Sequence, residues 1–312
     1  MTESDPYPPD SNPNSSENFR SGFVAIIGAP NVGKSTLLNA LLGEKVAITT
    51  PKPQTTRRQI RGILTGDNFQ IVFVDTPGIH ESKHLLNKVI VESALNALKD
   101  VDIVLFVVDV TSRKRGQEFA ILDILKEVGA PVILVLNKVD RIPKTELLPI
   151  IDSFKELFPF EAIIPISAKY MSGIDRVLDE ILSLLPRGPQ YYDRSTTSDQ
   201  RLEDMVAELI REKIFLLAEQ EVPYSTAVEV EDIEEVPEKN LLRIRAVIYV
   251  ERPSQKGIII GKGGKFIKKV GKLTREELER ALNKKVFLDL WVKVLKDWSK
   301  DERALKRLGL SS

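Results

Sequence analysis

The residues Gly28-Ala29-Pro30-Asn31-Val32-Gly33-Lys34-Ser35 match the pattern GxxxxGK[ST] at every fixed position, with Thr36 following. In such a loop, successive backbone N–H groups at the positive end of a helix surround phosphates. Lys34 reaches the β- and γ-phosphates, and the Ser35 hydroxyl offers an oxygen to Mg2+. Three further clusters extend this chemistry. Asp75-Thr76-Pro77-Gly78 supplies a carboxylate for Mg2+, directly or through water, and a Gly78 N–H that can approach the γ-phosphate. Lys34 and Gly78 are therefore the residues expected to act on the transferred group. In Asn137-Lys138-Val139-Asp140 the Asp140 carboxylate can accept from guanine N1–H and N2–H2, donors that adenine lacks there. Ser167-Ala168-Lys169 can present a backbone N–H to the guanine O6. Taken singly, each of these three also reads as a solvated turn. Their joint presence and order point to a guanine nucleotide.

Such clusters need rigid elements behind them. Short apolar runs at 23–27, 71–74, 103–108, 132–136 and 163–166 are β-branched enough for parallel strands buried on both faces. Helical patterns fall at 37–42, near 85–99, and at 117–128, 144–157 and 174–185, with Pro186 ending the last. This alternation predicts an α/β doubly wound sheet. Ligands of such sheets bind beyond the carboxyl ends of the strands, where all the clusters named above lie.

The 312 residues exceed one typical domain. Lysine and arginine total 45 and so do the acids, so any attraction to nucleic acid or membrane has to be local. The absence of cysteine excludes disulfides, thiolate metal sites and cysteine nucleophiles, and fits a reducing compartment. The first twenty residues lack the basic and apolar regions of a signal peptide and read as a disordered tail, 1–20. No apolar run approaches the roughly 18 to 20 residues of a membrane span, so a cytoplasmic protein is expected, with surface attachment to a membrane left open.

After a nucleotide-binding domain at 21–186, the polar stretch 187–199 reads as a linker to a second, smaller α+β domain at 200–300, with a tail at 301–312. Its elements are a helix from Leu202, strands at 224–230 and 241–250 separated by an acidic stretch at 231–239, two helices flanking Gly261-Lys262-Gly263-Gly264, and a strand at 286–294. From Arg252 to Arg275 there are eight basic residues and no acid. A basic run is often only a solvated face. The GxxG tetrad argues for more, because its glycines let an RNA backbone approach while Lys262, Lys265, Lys268 and Lys269 neutralise phosphates. Ile258, Ile259 and Ile260 fit either the groove or the core.

The order of phosphate loop, DTPG, NKVD and SAK resembles the translation-factor-related class of GTP-binding proteins. That resemblance implies that Gln54-Thr55-Thr56-Arg57 is the switch I effector motif and that Thr56 completes the Mg2+ shell, with Thr55 its close competitor. A surface loop with stacked threonines is the plainer alternative. Where Ras-like members orient water with glutamine, this chain has Ile79 and then His80, which implies slow unaided hydrolysis. His80 reads better as a solvated loop histidine than as a general base. Asn31 resembles the asparagine that helps bind K+ in several relatives, though a turn residue would look the same. The helix-strand-strand-helix-GxxG-helix-strand order resembles a type II KH domain. Together the two domains resemble the Era family of bacterial GTPases. Membership implies a monomeric, GTP-hydrolysing factor in 30S ribosomal subunit assembly that binds 16S rRNA near its 3′ end, with some association with the cytoplasmic membrane. The rival readings are a nucleotide sensor with negligible hydrolysis and an adaptor whose basic run meets anionic lipid or protein.

Overall fold

The computed structural model describes residues 18–53, 55–78, 95–96, 98, 100–113 and 115–310. Gln54, Ile79, His80 and most of the helix expected at 85–99 lie outside the described residues.

Six strands form the first sheet: β1 (Arg20–Ile27), β2 (Ile60–Thr65), β3 (Phe69–Asp75), β4 (Ile103–Asp109), β5 (Val132–Asn137) and β6 (Ala162–Pro165), in the order β2-β3-β1-β4-β5-β6. All neighbours pair in parallel except β2, which runs antiparallel to β3 at one edge. The doubly wound sheet is thus mixed rather than wholly parallel. On one face, Val24, Ile26 and Leu105 pack against α1 (Lys34–Leu42) and α4 (Ile174–Leu184). On the other, Ala25, Ile27 and Phe106 pack against α2 (Gly116–Leu125) and α3 (Lys144–Lys155). Burial on both faces explains why the strands read as continuous apolar runs.

The second sheet has the order β7-β8-β9, built from β7 (Thr226–Val236), β8 (Leu241–Val250) and β9 (Lys285–Val294). β8 pairs antiparallel with β7 and parallel with β9. One face carries α5 (Leu202–Leu217), α6 (Pro253–Ile260) and α7 (Lys265–Leu282) around a core that includes Ile210, Ile248, Ile259 and Val270.

Several expected boundaries move. The tail expected over 1–20 gives way to structure before its end, since Phe19 is buried and β1 begins at Arg20. The stretch 187–199 is strapped to the first sheet: Ser21 Oγ donates to Pro189 O, and Gln70 Oε1 accepts from the N–H groups of Tyr191 and Tyr192. β7 runs through most of the acidic stretch, because Asp232 and Glu234 alternate on its solvent face opposite Arg245 and Arg243. The expected tail at 301–312 contains α8 (Glu302–Arg307), N-capped by Asp301, whose Leu305 and the following Leu308 close a second core with Trp298, Val247 and Tyr249.

Candidate functional site

The turn from β1 into α1 forms a cradle at the carboxyl end of the sheet. Gly33 has φ 103°, and a Cβ there would come within 2.3 Å of Asn137 Nδ2. Only glycine lets the loop pass this close to the guanine-side loop. Gly78 is equally confined, since a Cβ would lie 2.7 Å from Pro30 Cα, so DTPG lies directly against the phosphate loop. Lys34 Nζ donates to the carbonyls of Gly28 and Ala29, each at 3.1 Å. Burial lowers its pKa to about 8, with Asp75 opposing the shift.

Ser35 Oγ donates to Asp75 Oδ2 at 2.6 Å and lies 2.9 Å from Thr56 Oγ1. Asp75 is fully buried, its pKa pushed up to about 6 by desolvation against the pull of Lys34 and Ser35. Its Oδ1 has no hydrogen-bond partner among the described residues. Three oxygens of the right kind, one an orphaned carboxylate oxygen, suit a hard cation such as Mg2+. Thr55 points elsewhere: its hydroxyl donates to Lys52 O at 2.8 Å and lies 2.7 Å from Thr50 Oγ1. The geometry therefore favours Thr56 over Thr55. Residues 48–50, 52, 55 and 56 face the phosphate loop across a cavity of about 70 Å3 lined by Asn31, Lys34, Ser35, Thr56 and Gly78 among others.

At the guanine end, Asn137 acts as a staple. Its Nδ2 donates to Val32 O at 2.9 Å, and its Oδ1 accepts from the N–H groups of Lys138 (2.8 Å) and Ala168 (3.0 Å). One side chain thus joins the phosphate loop, NKVD and SAK. Asp140 is exposed, and its Oδ1 accepts from Ser167 Oγ at 2.5 Å. Lys138 Nζ donates to Asn31 O at 2.7 Å and pairs with Asp109 Oδ2 at 2.6 Å. Asp109 is a site residue that the sequence reading missed; the signal for it was an acid ending an apolar strand, as in Asp75. Asn31 has φ 64°, a left-handed turn conformation that asparagine tolerates, and its side chain is exposed. Lys169 stacks its ammonium over the Tyr170 ring at 5.0 Å.

A second site lies on the smaller sheet. Gly261, Gly263 and Gly264 all have positive φ, and a Cβ on Gly263 would meet nothing within 4 Å. Lys262, Lys265, Lys268 and Lys269 are exposed and pair with no carboxylate among the described residues. A groove of about 340 Å3 runs beside them between α7 and β9, lined by Lys268, Lys272 and Arg275 with Ile267, Leu288 and Leu290. Lys272 and Arg275 thus join the groove, whereas Gly261, Lys262, Gly263, Gly264, Lys265 and Lys269 lie outside its lining. Of the three isoleucines, Ile258 is 51% exposed and Ile259 fully buried, so Ile258 alone among those two can meet a ligand. A wider hollow of about 960 Å3 elsewhere on this sheet is lined by acids and bases alike, including Asp232, Glu234, Arg243 and Lys285, and lacks the chemistry of either site.

The two domains meet at switch I. Arg57 is buried, donating to Thr226 O (2.7 Å) and Tyr224 O (2.6 Å) and lying 5.7 Å from the Trp298 ring. Burial, then Arg211, lowers its pKa to about 9, which leaves it a cation. Arg211 on α5 donates to Thr55 O and holds Glu208 through Nε and Nη2 at 2.9 and 3.0 Å.

A protein-family model described as "50S ribosome-binding GTPase" matches residues 23–138, and one described as "KH domain" matches 221–299. The GTPase Era of Geobacter metallireducens is 52% identical over 291 residues, covering 93% of this chain and 98% of that protein. The GTPase Era of Caldanaerobacter subterraneus is 50% identical, covering 93% and 98%. A crystal structure of Era in complex with MgGDPNP and nucleotides 1506–1542 of 16S ribosomal RNA is 40% identical, with a TM-score of 0.91 over 94% of this chain and all of that one. A structure of an Aquifex aeolicus Era variant bound to GDP·AlF4⁻ gives the same figures, 40% and 0.91.

Proposed function

Since this chain belongs to the GTPase Era family, we propose that it is a GTP-hydrolysing assembly factor for the small ribosomal subunit, binding 16S rRNA near its 3′ end through the KH groove. The 16S fragment in the related complex favours the small subunit over the 50S subunit that the GTPase family model's description names. The reading is carried by the meeting of Ser35, Thr56 and the orphaned Asp75 oxygen in front of Lys34, in one chain with an exposed GxxG turn and a basic groove beside it that Lys268 also lines.

In this reading Gly28 to Thr36 wrap the phosphates with backbone N–H groups, and Lys34 and the Gly78 N–H offset charge on the γ-phosphate as water attacks in line. Ser35, Thr56 and Asp75 hold Mg2+, directly or through water, and the ion neutralises charge on the β- and γ-oxygens. Asp140 selects guanine, while Asn137 and Lys138 set the distance between base and phosphate subsites. Lys262 and Lys268 neutralise RNA phosphates at the GxxG turn.

Gly263→Asp tests the RNA site. Its Cβ meets open space and aspartate is among the residues that visit the left-handed region, so the change costs local backbone strain at φ 61° without a clash, while a carboxylate faces the RNA backbone. RNA affinity falls at least about tenfold with GTP hydrolysis retained; unchanged affinity would contradict the groove assignment. We further assign K+ stimulation to Asn31, which is exposed in the phosphate loop. Hydrolysis is then faster in K+ than in Na+ at equal ionic strength, and equal rates would leave Asn31 a turn residue. The same basic surface supports peripheral contact of a monomer with anionic membranes. No helix among the described residues is long and apolar enough to cross one.

A further inference from the structure

Switch I is tied to the KH domain on both sides of Thr56. Before it, the Thr49 N–H donates to Glu212 Oε1 at 3.1 Å, and Lys52 Nζ donates to Ala218 O. Immediately before it, Thr55 O accepts from Arg211. After it, Arg57 reaches Thr226 O and Tyr224 O, while Arg58 pairs with Asp204 and donates to Leu308 O. The contact that Thr56 makes with the nucleotide-binding domain is its hydroxyl, 2.9 Å from Ser35.

We propose that α5 of the KH domain positions switch I for GTP hydrolysis, with Arg211 the central positioning residue and Glu212 and the carbonyl acceptors of Arg57 its supports. This rests on the GTPase reading above. Arg211, Glu208 and Glu212 are all buried, at 3%, 6% and 2% exposure, so α5 brings charge inside where only fixed partners can satisfy it. Glu208 grips Arg211 through two bonds, which fixes the direction of its guanidinium before Thr55 arrives. Because Thr55 O is held, the next residue presents its hydroxyl to Ser35 without the loop having to find that arrangement at each turnover. Preorganisation of this kind acts on the rate, since small misplacements of a positioned group slow chemistry disproportionately. GDP, which lacks the γ-phosphate that switch I covers, gains little from it.

Two full-length variants cut the tether from opposite sides. Arg211→Met combined with Glu208→Gln removes both buried charges together; Arg57→Met removes the switch I anchor and leaves the Glu208 pair of α5 intact. Single-turnover GTP hydrolysis is measured across a Mg2+ titration, beside GDP affinity and thermal melting. The expected result for each is a rate lower by about tenfold or more, with more Mg2+ needed for half-maximal rate and GDP affinity unchanged. If the double variant fails to fold, Arg57→Met decides alone. Full rate and unchanged Mg2+ dependence would overturn the inference, as would GDP affinity falling in step with the rate. Absence of hydrolysis by the unaltered chain would overturn the GTPase reading beneath it instead.

Discussion

In the proposed reading Asp140 carries the choice of base, and its chemistry is simple enough to invert. Its carboxylate is exposed and held by Ser167 at 2.5 Å, and in that reading it would accept from two guanine donors at once. Asp140→Asn replaces one acceptor by an N–H2 donor, which faces the guanine N2–H2 but matches the oxygen that xanthine carries there. Charge-assisted bonds of this type contribute about 1.5–3 kcal/mol, so GTP affinity falls by about 10- to 100-fold and XTP affinity rises. Competition binding of GTP and XTP reads both; parallel loss of the two nucleotides would show that Asp140 only supports the loop. Asn137 is a different case, because all three of its bonds go to protein, and its substitution loosens the phosphate and guanine loops together.

At the scale of elements, α5 is unusual in that Val206 to Phe215 are buried in sequence, with Glu208, Arg211, Glu212 and Lys213 among them. It lies between its own sheet and switch I, so its charged face is covered by the other domain. Glu277 of α7 closes the network, accepting from Lys213 and from Lys45 at 2.6 Å. Burial pushes the Glu277 pKa up, but hydrogen bonds from Lys213 and Lys45 outweigh it and hold the carboxyl below its ordinary value. A depressed carboxylate stabilises the fold above its unfolded pKa and loses that contribution as pH falls through the folded value. The melting-temperature gap between the native chain and Glu277→Gln is therefore full near neutrality and shrinks as pH drops below 4.5. A gap constant with pH would remove the ion network from the account. The sequence reveals little of this network. Phosphate loop, DTPG and NKVD are legible because each is contiguous and ends an apolar strand. The backbone carbonyls that Arg57 and Arg211 reach across the seam lie more than 150 residues away along the chain, beyond any local pattern. β2 escaped because Arg61 and Gly62 break its apolar run, and the far half of β7 because its acids alternate toward solvent. Trp298, Leu305 and Leu308 escaped because their partners, Val247 and Tyr249, sit on the outer face of another strand.

For the whole molecule, the nucleotide-binding domain and the KH domain meet at one buried, charged seam in which Arg57 and Arg211 reach across. Net charge is zero, so any attraction of the KH domain for RNA is local, from the basic residues between Arg252 and Arg275, rather than from a global field. Affinity should accordingly fall with rising salt. The most direct test is ultraviolet crosslinking of the full-length chain, loaded with Mg2+ and a non-hydrolysable GTP analogue, to total bacterial RNA, followed by sequencing of the attached fragments. Reads concentrated at the 3′ end of 16S rRNA, and lost in Gly263→Asp, are the predicted result. Reads spread over unrelated RNAs, or a 16S signal that Gly263→Asp leaves intact, would contradict it.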